Sequence, residues 1–198
     1  MEEARVLEER YTYGDYKSWD DKLRWELIDG EAFCMSPGPG EAHQALLTKL
    51  IGKLFKYFDG KECRLYAAPF DVMLPGGDEP EDEIDTVVQP DIMVLCDMSK
   101  LRHNGIKGAP DVVFEILSPS TAWRDLADKL YLYERAGVKE YMIVDPVNKI
   151  LTAYRRGDDA LFSRRAAYRA SDVLEFNTFP ELKIPLDAVF EEFNFPVA

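Results

Sequence analysis

The 198-residue chain carries 37 acidic against 24 basic side chains, a formal net charge of −13. That balance argues against a protein that coats nucleic acid by bulk electrostatics. A composition 46% hydrophobic and 31% charged excludes a disordered chain and is enough for one folded domain with a real core. No apolar run is long enough to cross a bilayer, and Met1-Glu2-Glu3-Ala4-Arg5 starts no signal peptide. Cys34, Cys63 and Cys96 match neither a zinc pattern nor a disulfide framework. They are expected as reduced thiols in a cytoplasmic protein. The charge is uneven. Six of the eight residues from Asp78 to Asp85 are acidic, leaving −7 for the rest, while Lys49, Lys53, Lys56, Arg155, Arg156, Arg164, Arg165 and Arg169 offer material for a local basic face.

Along the chain, residues 12–20 read as a short helix introduced by Thr12. Strands follow over Trp25–Ile28 and Glu31–Met35, joined at the turn pair Asp29-Gly30. Ser36-Pro37-Gly38-Pro39-Gly40 is a loop. Leu47, Leu50, Ile51, Leu54 and Phe58 recur at helical spacing, predicting a helix over 42–58. A strand over 64–74 leads to an acidic solvated loop over 76–85, which lacks the spacing of a calcium loop. Strands then carry Asp91 and Glu115. A helix over 122–136 stops at Gly137, a strand covers 139–144, and another over 150–155 pairs with it. The elements add up to an α/β or α+β sheet with helices on its faces. The whole chain, 1–198, is expected as one domain, with 157–198 a C-terminal extension whose elements the sequence does not define.

Two carboxylates stand out. Asp91 opens the apolar run Asp91-Ile92-Met93-Val94-Leu95-Cys96, and Glu115 lies within Asp111-Val112-Val113-Phe114-Glu115-Ile116-Leu117. Alternation sets Val112, Phe114 and Ile116 on one face and Val113, Glu115 and Leu117 on the other. A carboxylate there is costly unless a metal, a cation or hydrogen bonds compensate it. Two in neighbouring strands suggest a shared cation, and Lys129 on the following helix can complete a catalytic set. Blander readings stand beside this one. Glu115 and Glu26 also suit strand edges, Pro90-Asp91 suits a turn, Asp125–Lys129 suits an ordinary helical ion pair worth about 0.3 kcal/mol, and His43 suits a packed or capping residue.

Several strings recur together, and in this order, in a known family. They include Trp25-Glu26-Leu27-Ile28-Asp29-Gly30, Glu41-Ala42-His43-Gln44, Val88-Gln89-Pro90-Asp91-Ile92, Glu115-Ile116-Leu117-Ser118-Pro119-Ser120-Thr121 and Ala136-Gly137-Val138-Lys139-Glu140-Tyr141. Over roughly residues 12–156 the chain resembles the Uma-two family of restriction-endonuclease-like proteins, a branch of the PD-(D/E)XK nuclease superfamily. The resemblance implies a restriction-endonuclease-like fold, a central mixed β-sheet flanked by helices. Pro90-Asp91 and Glu115 match the superfamily pattern, but Leu117 stands in the place of its lysine. Lys129 is the position from which this family supplies that lysine.

The resemblance implies an endonuclease that hydrolyses phosphodiester bonds in nucleic acid, DNA first, with Mg²⁺ (or Mn²⁺) as cofactor. Asp91, Glu115 and the Ile116 carbonyl would hold the metal, Lys129 would orient water or stabilise developing charge, and Glu26 and His43 would assist. A homodimer suits the cutting of two strands. The rival reading is a catalytically silent nuclease fold that binds protein or nucleic acid. A third is an acidic module that mimics nucleic-acid charge, resting on Asp78–Asp85 alone.

Overall fold

The computed structural model describes residues 9–20, 23–35, 40–118 and 122–190. Thr12 caps α1 (Tyr13–Tyr16): its hydroxyl accepts from Asp15 N while the Asp15 carboxylate accepts from Thr12 N at 2.8 Å. This reciprocal box satisfies two backbone donors, and the helix runs only one turn, shorter than the predicted 12–20. β1 (Trp25–Ile28) and β2 (Glu31–Cys34) form the expected hairpin. Asp29 (φ 50°) and Gly30 (φ 82°) both adopt the left-handed backbone that a tight two-residue turn requires. Residues 36–39 of the predicted loop lie outside the described residues, and Gly40 is the N-cap of α2 (Glu41–Phe58). That helix buries His43, Leu46, Leu50, Leu54 and Phe58, while Leu47 and Ile51 flank the stripe half-buried.

The predicted strand over 64–74 is two strands in different sheets. β3 (Arg64–Ala67) and β4 (Asp71–Met73) are separated by Pro69, which has no N–H to give a ladder, and the Ala68-Pro69 peptide is cis. Pro90 interrupts in the same way between β5 (Val87–Val88) and β6 (Ile92–Leu95). The smaller sheet has the order β2-β1-β5-β4-β7, with β7 covering Gly105–Lys107. The larger has the order β11-β10-β9-β8-β6-β3. Its further strands are β8 (Val112–Ile116), β9 (Glu140–Asp145), β10 (Ile150–Arg155) and β11 (Arg164–Arg169). The segment Gln89-Pro90-Asp91 therefore passes from one sheet to the other.

In β8 the predicted alternation holds. Val112, Phe114 and Ile116 enter the core that α2 covers, and Val113 enters a second core with Leu132, Tyr133 and Tyr141. β8 and β9 are parallel, so the chain must cross over between them, and helices make that crossover. The single helix expected over 122–136 is broken at Ala127 (φ −124°, ψ −71°) into α3 (Ala122–Leu126) and α4 (Asp128–Ala136). The ladder continues through the break, with Ala127 N bonded to Trp123 O and Tyr131 N to Ala127 O, both at 3.1 Å. Gly137 (φ 93°) closes α4 in the left-handed conformation that glycine adopts without steric cost.

Residues after 157, which the sequence does not define, help to build the core. β11 adds an outer strand, β12 (Val173–Glu175) pairs with β13 (Lys183–Pro185), and α5 (Asp187–Phe190) lies against α2. Leu174, Phe176, Ile184, Leu186 and Phe190 all enter the α2-side core. The expected α/β (α+β) sheet flanked by helices is present, divided into two main sheets.

The cysteine expectation is corrected. β3 and β6 are antiparallel with Arg64 opposite Leu95, so one step outward Cys63 meets Cys96. Their Cα atoms are 4.0 Å apart and they form a disulfide, while Cys34 is free and exposed. Register, not sequence spacing, made the pair. Among the described residues no helix is long and apolar enough to cross a membrane.

If the C-terminal segment is core, Leu186→Ala will destabilise the chain by about 2–5 kcal/mol. Leu161→Ala, at a side chain 52% exposed, will stay within about 0.5 kcal/mol. Urea unfolding of the two variants measures both, and equal, small effects would show the segment to be peripheral.

Candidate active site

The last ladder pair between β6 and β8 is Ile92 with Phe114. One step further the same register sets Asp91 opposite Glu115, on one face, and Asp91 N lies 3.4 Å from Glu115 Oε2. The ladder has ended there, so Asp91 Oδ2 takes over, accepting from Ile116 N at 2.7 Å. In a strand a residue's N–H and C=O face the same edge, so the Ile116 carbonyl also faces the Asp91 side. His43, in the first turn of α2, brings Nε2 to 3.0 Å from the same Asp91 Oδ2.

Lys129 reaches this pair from α4. Its ammonium donates to Glu115 Oε1 and to Glu26 Oε1, both at 2.9 Å, and stands 3.6 Å from Asp125 Oδ1. All three carboxylates and the lysine are buried. The helical pair between Asp125 and Lys129 is present, but it is buried, and the shorter contacts come from Glu26 in β1 and Glu115 in β8, brought in by the fold. The edge readings of Glu26 and Glu115 are corrected, since 1% and 4% exposure leaves neither at the surface. His43 is packed, and bonded to Asp91 besides. The structure brings Asp91, Glu115, Lys129, Glu26, His43 and Ile116 into one connected group.

Sequence reasoning missed three members of the group. Tyr133, one turn beyond Lys129 on α4, donates to Glu115 Oε1 at 2.9 Å. Asp125 belongs to the buried carboxylates. Gln89 N donates to Glu26 Oε1 at 2.9 Å, while its side chain donates to Asp71 Oδ1 at 2.9 Å and accepts from Arg24. The i, i+4 spacing of Tyr133 from Lys129 was a usable signal. So was the adjacency of Gln89 to Pro90-Asp91.

Charge in the cluster is unbalanced. Glu26, Glu115 and Asp125 surround the ammonium of Lys129, Asp91 adjoins Glu115 on the far side, and Glu26 Oε2 is buried without a hydrogen-bond partner. Burial pushes the Glu115 carboxyl well above the usual carboxylate range. Lys129 opposes that shift, and the charges of Asp125, Asp91 and Glu26 add to it. Burial works to lower Lys129, but Glu115, Glu26 and Asp125 outweigh it and hold the amine well above its ordinary value. Lys129 is therefore a fixed cation. The cluster opens at Asp91, whose side chain is 18% exposed.

Other expected features fall elsewhere. The acidic loop is largely exposed but tethered. Glu79 accepts from Gly76 N and Gly77 N, Lys107 donates to Glu79 O, and Ile84 is buried. Lys53 and Lys56 are exposed on α2, which packs by β3 at one edge of the larger sheet, whereas Arg164, Arg165 and Arg169 line β11 at the other edge. The two groups do not merge into one basic face.

The Uma2 family model, described as "Putative restriction endonuclease", matches residues 13–187. A curated protein from Synechocystis, described as uncharacterized, is 24% identical over 185 residues, covering 91% of this chain and 92% of its own length. A crystal structure from Anabaena variabilis, titled a "putative nuclease belonging to DUF820", superposes with a TM-score of 0.71 at 18% identity, over 91% of this chain and 97% of that one. At that identity the likeness establishes the fold.

The raised Glu115 predicts a pH effect of definite sign. The folded chain gives up the Glu115 proton at a higher pH than the unfolded chain does. With divalent ions chelated, stability is therefore full below the ordinary carboxylate range and falls as pH rises through the raised folded-state value, by up to about 1.4 kcal/mol per pH unit. Glu115→Gln will flatten the slope. Urea midpoints between pH 5 and 8 measure it, and parallel slopes in the two proteins would contradict the assignment.

Proposed function

Because this chain belongs to the Uma2 family, we propose that it is a divalent-metal-dependent nuclease that hydrolyses phosphodiester bonds in nucleic acid, DNA first. The observation that carries the reading is the buried surplus of carboxylates around Lys129, with Glu26 Oε2 left unpartnered. An uncompensated buried charge is costly, and a bound divalent cation supplies what is missing. Among the described residues no three His, Cys, Asp or Glu side chains form a metal-binding group, which disfavours a closed zinc-type cage. One or two carboxylates, a backbone carbonyl and several waters suit Mg²⁺, or Mn²⁺ in its place.

Asp91 and Glu115 would hold the ion, with the Ile116 carbonyl facing the same edge and Glu26 in reserve for metal or water. A bound Mg²⁺ supplies Lewis acidity, activating water and offsetting charge on phosphoryl oxygens. Lys129 contributes a cation held still by Glu26 and Glu115, placed where it costs no reorganisation as negative charge develops. His43 orients the Asp91 carboxylate through Oδ2. Tyr133 and the Gln89 backbone hold Glu115 and Glu26 in place. A dimer that cuts both strands, and a cytoplasmic setting, belong to the same proposal. The Cys63–Cys96 disulfide is the observation that weighs against the cytoplasm.

Calorimetric titration of Mn²⁺ and Mg²⁺ into the wild-type chain and an Asp91→Asn/Glu115→Gln variant tests the metal site. Heat in the first and none in the second is expected, and heat in neither would transfer the fold to a silent binding role. At about 100 times Kd, metal will add about 2.7 kcal/mol of stability to the wild type alone. On a cleaved DNA, Asp91→Asn will abolish turnover with the fold intact, and Lys129→Met will lower kcat by about 10²–10³-fold.

A further inference from the structure

α3 sets two neighbouring side chains in contrasting surroundings at the rim of this site. Trp123 is 56% exposed, whereas Arg124 is 8% exposed. The Arg124 guanidinium lies 4.2 Å from the centre of the Phe33 ring and 5.4 Å from that of Trp123. Its Nε is buried without a hydrogen-bond partner. The rim position follows from two relations. Phe33 is the cross-strand partner of Glu26, so both side chains stand on one face of the hairpin. Asp125, the residue after Arg124, contacts Lys129.

Each feature is hard to explain by stability alone. A buried guanidinium with an idle donor forgoes a charge-assisted hydrogen bond. The exposed indole adds little to either core. Together they have the chemistry of a nucleotide contact: a planar cation that matches phosphate with a fork of donors, beside an aromatic face on which a base can stack. We propose that Trp123 and Arg124 form a nucleotide subsite for single-stranded nucleic acid, with Arg124 on a backbone phosphate and Trp123 under an unstacked base. The proposal rests on the nuclease reading for its location beside the chemistry. It commits to a single strand because a base inside a duplex has no free face to offer an indole at the protein surface. With a net charge of −13, the chain has little long-range attraction for nucleic acid, so short-range contacts of this kind have to carry the recognition.

The test is fluorescence anisotropy with a labelled oligothymidylate and a labelled hairpin duplex, on the full chain in EDTA. The wild type is expected to bind the single strand more tightly than the duplex. Trp123→Ala, at an exposed position that leaves the core intact, should weaken single-strand binding about tenfold or more and leave the duplex unchanged. Arg124→Met should weaken it too and reduce the salt dependence by about 0.7 in the log–log slope, whereas Arg124→Lys should keep that slope while losing affinity. Single-strand binding unaffected in Trp123→Ala and Arg124→Met overturns the subsite, as does no binding by the wild type. Equal loss on single strand and duplex overturns the stacking. Mn²⁺ heats on the same proteins separate the two proposals. Metal binding without oligonucleotide binding removes the subsite and spares the nuclease reading; Trp123-dependent oligonucleotide binding without metal does the reverse.

Discussion

The ammonium of Lys129, buried between Glu26 and Glu115, is the interaction on which the arrangement of the molecule turns. Glu26 belongs to the smaller sheet, Glu115 to the larger, and Lys129 to the crossover helix α4. One side chain thus ties three layers at a single point. A buried ion pair is seldom a net source of stability, because desolvation offsets most of the attraction. What it supplies is position. Removing the lysine would leave buried carboxylates facing one another, so the layers are held to a geometry in which all the partners meet.

The surroundings of the lysine are specified in turn by ordinary backbone chemistry. Pro69 and Pro90 lack an N–H, and each marks the place where the chain leaves one sheet for another. The second of these switches delivers Gln89 to Glu26 and Asp91 to Glu115 within three residues. The antiparallel register of β6 and β8 then runs out at the pair that carries the carboxylates. Exposed backbone donors are satisfied by side chains there, Ile116 N by Asp91 above all. An end of pairing in the middle of a buried layer is what makes room for the polar cluster.

This arrangement also accounts for the charge surplus. Three buried carboxylates around one ammonium would be an unstable design for a purely structural core, which could use leucine at those positions at lower cost. Their burial, with one oxygen of Glu26 unpartnered, is the observation on which the proposed cation site rests. The proposed subsite at Trp123 and Arg124 lies at the rim of the same cluster.

Local signals in the sequence determined much of this. Thr12 marked a helix start, Asp29-Gly30 a turn, Gly137 a helix end, and the period-two pattern of β8 the face on which Glu115 stands. Each depends on neighbours a few residues away, so spacing suffices to read it. Asp91, Glu115 and Lys129 stood out by their own surroundings, and the family resemblance joined Glu26, His43 and Ile116 to them as candidates. Tertiary structure decided the rest. It split residues 64–74 between two sheets, broke the helix at Ala127, drew the C-terminal segment into the core and joined Cys63 to Cys96 across a ladder. It also turned a routine Asp125–Lys129 spacing into part of a buried cluster with Glu26, 103 residues away from the lysine. The reason is common to all of these. Register and layer packing set which distant residues become neighbours, and burial sets what their charges cost, and neither quantity exists until the chain has closed on itself.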